Sequence, residues 1–175
     1  MLTIRQERPS DSASISRVHQ EAFGSRTEAD LVERLRTGGK FKVSLVADIE
    51  GQVVGHILFT EVNIEGLDSD LSLLGLAPMS VLPEFQRRGI GSELIRRGLT
   101  LCRDLGHDAI VVVGHPEYYP RFGFVPGSCH GLRCEYDVPD DVFMSLELRA
   151  GALKEMSGIV RYQPEFADSG GIGGG

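Results

Sequence analysis

Val81-Leu82-Pro83-Glu84-Phe85-Gln86-Arg87-Arg88-Gly89-Ile90-Gly91-Ser92-Glu93-Leu94-Ile95 joins an apolar run to an amphipathic one. The first turn of a helix leaves several N–H groups without partners, and the helix dipole adds partial positive charge there. A strand-to-helix turn is therefore a seat for an anion such as a pyrophosphate. Gly89 and Gly91 lack Cβ and let a phosphate approach the backbone; Arg87, Arg88 and the Ser92 hydroxyl add charge and a donor. A dinucleotide fingerprint would place a third glycine where Leu94 stands. A P-loop would follow Gly91 with Lys and Ser or Thr, and the chain continues Ser92-Glu93. An ordinary turn using glycine for tight packing gives the same spacing, so the loop alone leaves its ligand open. Gly98, within the helix, reads as a packing glycine.

Outward from this loop, Leu71 to Val81 reads as an apolar strand and Gly89 to about Arg103 as a helix, with Ile90, Leu94, Leu101 and Leu105 on one side. Upstream, Leu2 to Gln6 alternates as a first strand, and Pro9-Ser10-Asp11 offers turn and cap chemistry. Ile15, Val18, His19, Ala22 and Phe23 recur at helical spacing, and a second helix over about Glu28 to Arg36 stops at Gly38-Gly39. Lys42 to Asp48 and Val53 to Ile64 form a hairpin around Glu50-Gly51, with a bulge expected at Gly55. Ile110 to Val113 is apolar throughout and predicts a strand buried on both faces. A helical turn near Glu117 to Phe122 and strands near Leu132 to Glu135 and Val142 to Leu148 close the chain. The order predicts an α/β layer structure on a mixed sheet, not a doubly wound parallel one. Residues 1–167 read as a single domain, and 168–175 as a Gly-rich flexible tail.

The 175 residues suit one core. A net charge of −7, from 18 basic and 25 acidic residues, argues against nucleic-acid binding by bulk charge. No apolar run reaches the ~18 residues that cross a bilayer, so no membrane is expected. Met1 to Ser16 mixes charges with single apolar residues, unlike a signal peptide, so the expected location is cytoplasmic. Cys102, Cys129 and Cys134 read as reduced thiols. Cys129-His130 and Cys134 lack a second paired set of ligands, and no metal is expected.

The stretch Val81 to Ile95 resembles the acetyl-CoA-binding motif of the GCN5-related N-acetyltransferases (GNAT), a strand ending V-x-P followed by Q/R-x-x-G-x-G/A. Tyr118-Tyr119-Pro120-Arg121-Phe122-Gly123-Phe124 resembles the Y-x-x-x-G-F segment of that family, in the right order downstream. Gly114-His115-Pro116-Glu117-Tyr118-Tyr119 and Val142 to Leu148 are similar to a subgroup of predicted acetyltransferases of unassigned substrate. The resemblance implies a GNAT fold: a mixed, mostly antiparallel central sheet with strands 4 and 5 splayed, flanked by helices. It implies that Met79, Ser80 and Val81 meet the acetyl and pantetheine part through backbone groups, and that Gln86, Arg87, Arg88, Gly89, Ile90, Gly91 and Ser92 hold the pyrophosphate. It implies acetyl-CoA as co-substrate and an amine-bearing acceptor of unknown identity. A homodimer is compatible with it, since shared sheet edges are frequent in the family.

The implied reaction is direct attack of an uncharged amine on the thioester. It needs a deprotonated amine, an oxyanion stabiliser and a proton for the leaving thiolate. Tyr119 matches the family tyrosine near the CoA sulfur, and an ordinary phenol pKa of ~10 lies close to that of an alkyl thiol. Glu21 and His115 are the candidate bases: Glu21 because the first two helices wall the acceptor cleft in the family, His115 because it ends the strand beside the site. The family asparagine before the tyrosine is absent, with His115-Pro116 in that stretch. None of the cysteines stands at a matched catalytic position, which argues against an acetyl-cysteine intermediate. Alternatives are a non-catalytic acyl-CoA sensor or interaction module, a transferase using a longer acyl-CoA, and a nucleotide-binding protein using the same loop.

Overall fold

The apolar alternation around Glu50-Gly51 folds into the hairpin that anchors the sheet. Phe41–Ile49 (β2) and Gln52–Ile64 (β3) pair antiparallel, with Glu50 and Gly51 both at positive φ in the turn. Leu2–Gln6 (β1) pairs with β2, and Leu73–Val81 (β4) pairs antiparallel with β3. The computed structural model describes residues 1–169. Ala47 pairs with Gly55 and Asp48 with Val53, so the bulge expected at Gly55 makes the adjoining Val54 the extra residue.

Two helices precede this meander, Ser12–Phe23 (α1) and Thr27–Thr37 (α2). Ile15, Val18 and His19 of α1 and Leu31 and Leu35 of α2 are buried, at the spacing the sequence displays. Gly24, at φ 75°, caps α1 with an N–H bond to the Gln20 carbonyl.

The helix after the loop, Ile90–Asp104 (α3), lies on the opposite face of the sheet. Its buried residues are Ile90, Ser92, Leu94, Ile95, Gly98, Leu99 and Cys102. This corrects the sequence reading at one end. Leu101 is half-buried and Leu105 is 58% exposed, because α3 ends at Asp104 before a further turn can reach the sheet. A Cβ on Gly98 would lie 2.6 Å from the Phe59 ring, which explains a glycine in mid-helix.

Ala109–Val113 (β5) is buried at every residue, between β4 and Phe143–Glu147 (β8). Three elements escape the sequence reading: Val125–Pro126 (β6), Gly158–Arg161 (β9) and Glu165–Asp168 (α4). Each is too short to carry a period. Leu132–Cys134 (β7) pairs parallel with β9, which pairs antiparallel with the end of β3. The main path is β1-β2-β3-β4-β5-β8-β6. Two residues of the expected tail are described. Asp168 closes α4, and the Ser169 hydroxyl accepts from Arg34 of α2 at 2.7 Å. Residues 170–175 of that tail lie outside the described residues.

The feature that positions the site is the junction of β4 and β5. They run parallel, but pair only at Leu73↔Ala109, Leu74↔Ile110 and Gly75↔Val111. Beyond Gly75 the strands part, and Leu76 to Val81 keep a backbone edge that β5 does not cover. This is the splay expected from the sequence.

Candidate functional site

A cavity of about 410 Å³ opens where the free part of β4 meets the start of α3. Gly89, at φ 80°, is the residue that turns the chain into α3. Glu93 N–H makes the first bond of the helix, to the Gly89 carbonyl at 3.1 Å. The N–H groups of Ile90, Gly91 and Ser92 come before it, without helical acceptors. A Cβ on Gly89 would touch nothing within 4 Å, so the backbone there lies open. A Cβ on Gly91 would lie 3.5 Å from the Tyr118 hydroxyl and 3.6 Å from Met79 Cε, between loop and strand.

The residues expected around a pyrophosphate divide into two roles. Arg87, Gly89, Ile90, Gly91 and Ser92 line the cavity directly. Gln86 also lines it, but its side-chain amide donates to the Val81 carbonyl at 2.9 Å and ties the loop to the end of β4. Arg88 stacks over the Phe85 ring at 5.1 Å. Met79 and Val81 turn their side chains toward Gly91. Ser80, between them, turns the other way, as strand alternation requires.

Three residues outside the expected set complete the cavity, Phe85, Tyr118 and Arg121. The Tyr118 hydroxyl lies 3.1 Å from Ser92 Oγ. Arg121 donates to Ser92 Oγ at 3.2 Å and stacks on the Tyr118 ring at 4.8 Å. Arg121 thus brings a further cation to the start of α3. Its place inside the YxxxGF-like segment is a signal that sequence reading could have used.

Tyr119 sits one residue along and faces inward. It is 7% exposed, with its ring against Gly114 at the end of β5 and edge-on to Phe124, centroids 5.7 Å apart. Burial pushes its phenol well above the ordinary range, and the neighbouring Tyr118 adds to this. Glu21 is exposed on α1 and pairs with Arg17 at 2.9 Å. His115 is exposed just after β5, and its carbonyl accepts the N–H groups of Tyr118 and Tyr119.

On the α1 face of the sheet the structure joins polar groups that the sequence leaves apart. Ser80 Oγ lies 2.7 Å from His19 Nδ1, and His19 Nε2 lies 2.8 Å from His56 Nδ1. His56 Nε2 lies 2.8 Å from Ser44 Oγ, and Ser44 donates to the Glu7 carboxylate. Arg36 of α2 donates to both oxygens of Glu7 at 3.0–3.1 Å. His19 and His56 are fully buried. Burial pushes His19 well below the imidazole range, helped by the nearby His56 and Arg36. Burial also lowers His56, against the opposing pull of Glu7. Burial works to raise the Glu7 carboxyl, but the His56 imidazole 3.8 Å away, the Ser44 hydrogen bond and the Arg36 charge bring it down to about 2. His19 reads in the sequence only as part of an apolar helix stripe, and His56 as one residue of an apolar strand. Neither Glu21 nor His115 belongs to this chain.

Among the described residues no group of three or more His, Cys, Asp or Glu side chains could hold a metal ion. Among them also, no helix is long and apolar enough to cross a membrane.

The family model for the acetyltransferase (GNAT) domain matches residues 3–127. The uncharacterized N-acetyltransferase YhbS of Escherichia coli K12 is 36% identical over 166 residues, covering 94% of this chain and 98% of that protein. The crystal structure of E. coli YhbS in complex with CoA superposes with a TM-score of 0.90 at 35% identity, over 95% of this chain and 92% of that one. A GNAT family acetyltransferase from Brucella melitensis, in complex with acetyl-CoA, gives a TM-score of 0.79 at 36% identity, over 95% and 98% of the two chains.

Proposed function

The chain belongs to the GNAT acetyltransferase family, and is an acyltransferase by that membership; on this premise we propose that it takes acetyl-CoA as donor and moves the acetyl group directly onto an amine. The observation that carries the donor assignment is one continuous surface: the free edge of β4 leads into the unpaired N–H groups at the start of α3. Pantetheine has two amides and can pair with that edge as a strand would. Its pyrophosphate then reaches Gly89 to Ser92, with Arg87, Arg121 and the Tyr118 hydroxyl around it. A backbone N–H among Met79, Ser80 and Val81 faces the thioester oxygen and stabilises negative charge as it develops. The complexes of YhbS with CoA and of the Brucella protein with acetyl-CoA support the same donor here.

Tyr119 is assigned the proton for the departing thiolate. Its burial raises its pKa, but desolvation raises a thiol in the same way. The buried Cys102 thiol of this protein is pushed up to about 12. Removal from water thus shifts a phenol and a thiol in the same direction. Arg88 is assigned long-range attraction of the pyrophosphate rather than contact, since Phe85 holds it.

The test is an amine library of polyamines, aminoglycosides, amino-acid esters and short peptides, screened with acetyl-CoA for thiol release. At least one acceptor should turn over, and Tyr119→Phe should lower kcat on it by roughly 10²-fold or more while CoA still binds. Binding of CoA with no turnover across the library would remove the amine assignment; unchanged kcat in Tyr119→Phe would remove the proton donor.

A further inference from the structure

The buried polar chain on the α1 face has only one consistent direction. Glu7 is ionised and can only accept hydrogen bonds, so Ser44 donates to it. Ser44 Oγ is then the acceptor for His56 Nε2–H. A neutral His56 leaves Nδ1 bare, so His19 supplies Nε2–H to it. Neutral His19 in turn has a bare Nδ1, and the Ser80 hydroxyl donates to that nitrogen. The direction set at Glu7 thus reaches the strand edge assigned to the thioester, on β4 beyond its last pair with β5. The Ser80 proton is committed inward, and its oxygen offers only lone pairs. No other side chain among the described residues bonds it.

We propose that Ser80 and His19 take the proton from the acceptor nitrogen during acetyl transfer, with His56, Ser44 and Glu7 as the polarising tail that holds His19 ready. This rests on the amine reading above. Attack by the neutral amine forms the N–C bond and leaves a positive nitrogen. That nitrogen passes one hydrogen to Ser80 Oγ as Ser80 passes its own to His19 Nδ1. His19 becomes an imidazolium, bonded to His56 and facing the Glu7 carboxylate through Ser44. The C–S bond breaks, and the thiolate takes the Tyr119 proton. When the products leave, the imidazolium proton returns through Ser80 and cleft water to the Tyr119 phenolate. One amine hydrogen is lost, one thiol hydrogen is gained, and both side chains are restored.

Ser80 is the group that touches the acceptor; His19, His56, Ser44 and Glu7 act through it as positioning residues. The groups around the imidazoles set their basicity. Glu7 and Asp11 raise His56, whereas Arg36 lowers both rings, and His56 disfavours charge on His19. A weak, buried base suits the acidic N–H of a tetrahedral adduct better than the free ammonium ion, so the amine arrives already neutral.

Two measurements test this independently. Nitrogen-15 spectra of the imidazoles, assigned with His19→Gln, should show both rings neutral at neutral pH with hydrogen on Nε2. Hydrogen on Nδ1 of either ring overturns the direction of the chain, whether or not an acceptor is known. For turnover, Ser44→Ala breaks the tail far from the acceptor, and Glu7→Gln removes its charge. With the best amine of the library, each should lower kcat by at least tenfold while CoA affinity is kept. Glu7→Gln should also move the acid limb of the kcat profile to lower pH, because the imidazolium loses its counter-charge. Wild-type kcat and an unmoved limb in a folded variant would refute the relay. If no amine turns over, the amine assignment fails and the relay with it, while the imidazole spectra still decide the direction of the hydrogen-bonded chain.

Discussion

Gly114→Ala is the substitution that most directly tests whether the placement of Tyr119 matters. A Cβ at residue 114 would sit 2.2 Å from Tyr119 Cε2 and 2.8 Å from Cδ2. Unbonded carbons rest about 3.5–4.0 Å apart, so the ring must retreat by about 1.5 Å. It has little room, because Phe124 and Tyr118 meet it edge-on at 5.7 and 5.2 Å. Overpacking of this kind costs about 1–3 kcal/mol. For a chain of this length that lowers Tm by roughly 2–10 °C. The kinetic loss should be larger than the stability loss implies. A displacement near 1 Å in a reacting group costs about 10²-fold in rate. The cavity proposed for CoA is lined by neither Gly114 nor Tyr119, so CoA affinity by calorimetry should change little while kcat collapses. In a Tyr119→Phe background the same alanine should still lower Tm but lower kcat little further, since the proton donor has already gone. Wild-type kcat in a folded Gly114→Ala protein, or fully additive rate losses in the double variant, would refute the assignment.

Arg121→Ala should weaken CoA binding by about 1.5 kcal/mol, roughly tenfold in Kd, because it removes a charge-assisted donor at the start of α3; an unchanged Kd in a titration at low salt would exclude Arg121 from the site. Gly98→Ala should lose about 1–2 kcal/mol in denaturant unfolding, since the clash with Phe59 at 2.6 Å exceeds the ~1 kcal/mol gain in helix propensity, and a stabilised variant would contradict the packing role. In the native protein at pH 8 a thiol reagent should label the exposed Cys129 and spare Cys102, whose buried thiol lies near 12, and early labelling of Cys102 would contradict its burial. Tm should fall on acidification in two stages. Below about pH 6.5 the unfolded chain binds protons that His19 and His56 refuse when folded, and below about 4.5 the ionised Glu7 adds a second loss that continues toward pH 2. A melting temperature flat from pH 7 to 5 would contradict the neutral histidine pair.

The proposed donor side could be read from the sequence because its chemistry is local there. Anion binding at a helix start needs glycine, cations and a preceding strand within one short stretch, and Val81 to Ile95 carries them together. The apolar block Ile110 to Val113 likewise announced a central strand, and β5 is buried throughout. What escaped were groups joined by tertiary contact. Ser80, His19, His56 and Ser44 come from β4, α1, β3 and β2, Glu7 follows β1, and no spacing links them. A faint signal existed: His56 interrupts an apolar strand, and a buried imidazole needs partners. Glu21 and His115 drew attention because of the elements they stand on, the first helix and the end of the strand beside the site, whereas burial and partners are decided by which way each side chain points.

The same directional rule explains how one strand can serve both halves of the reaction. Side chains on a strand alternate between faces. Met79 and Val81 therefore point to α3 and the donor cavity, while Ser80 points to α1 and the histidine pair. The parting of β4 from β5 after Gly75 leaves the backbone between these faces uncovered. A thioester laid along that edge has hydrogen-bonding backbone beside its carbonyl and a hydroxyl committed to His19 on the side of α1. Shifting the register of β4 by one residue would exchange these faces, placing a serine against Gly91 and an apolar side chain against His19. His19 would then be a buried imidazole without a partner for its Nδ1, at a cost of about 1–3 kcal/mol. The polar chain thus fixes the strand register that the donor cavity also needs, and a variant that breaks it, such as Ser80→Val, should loosen CoA binding even though residue 80 points away from the CoA cavity.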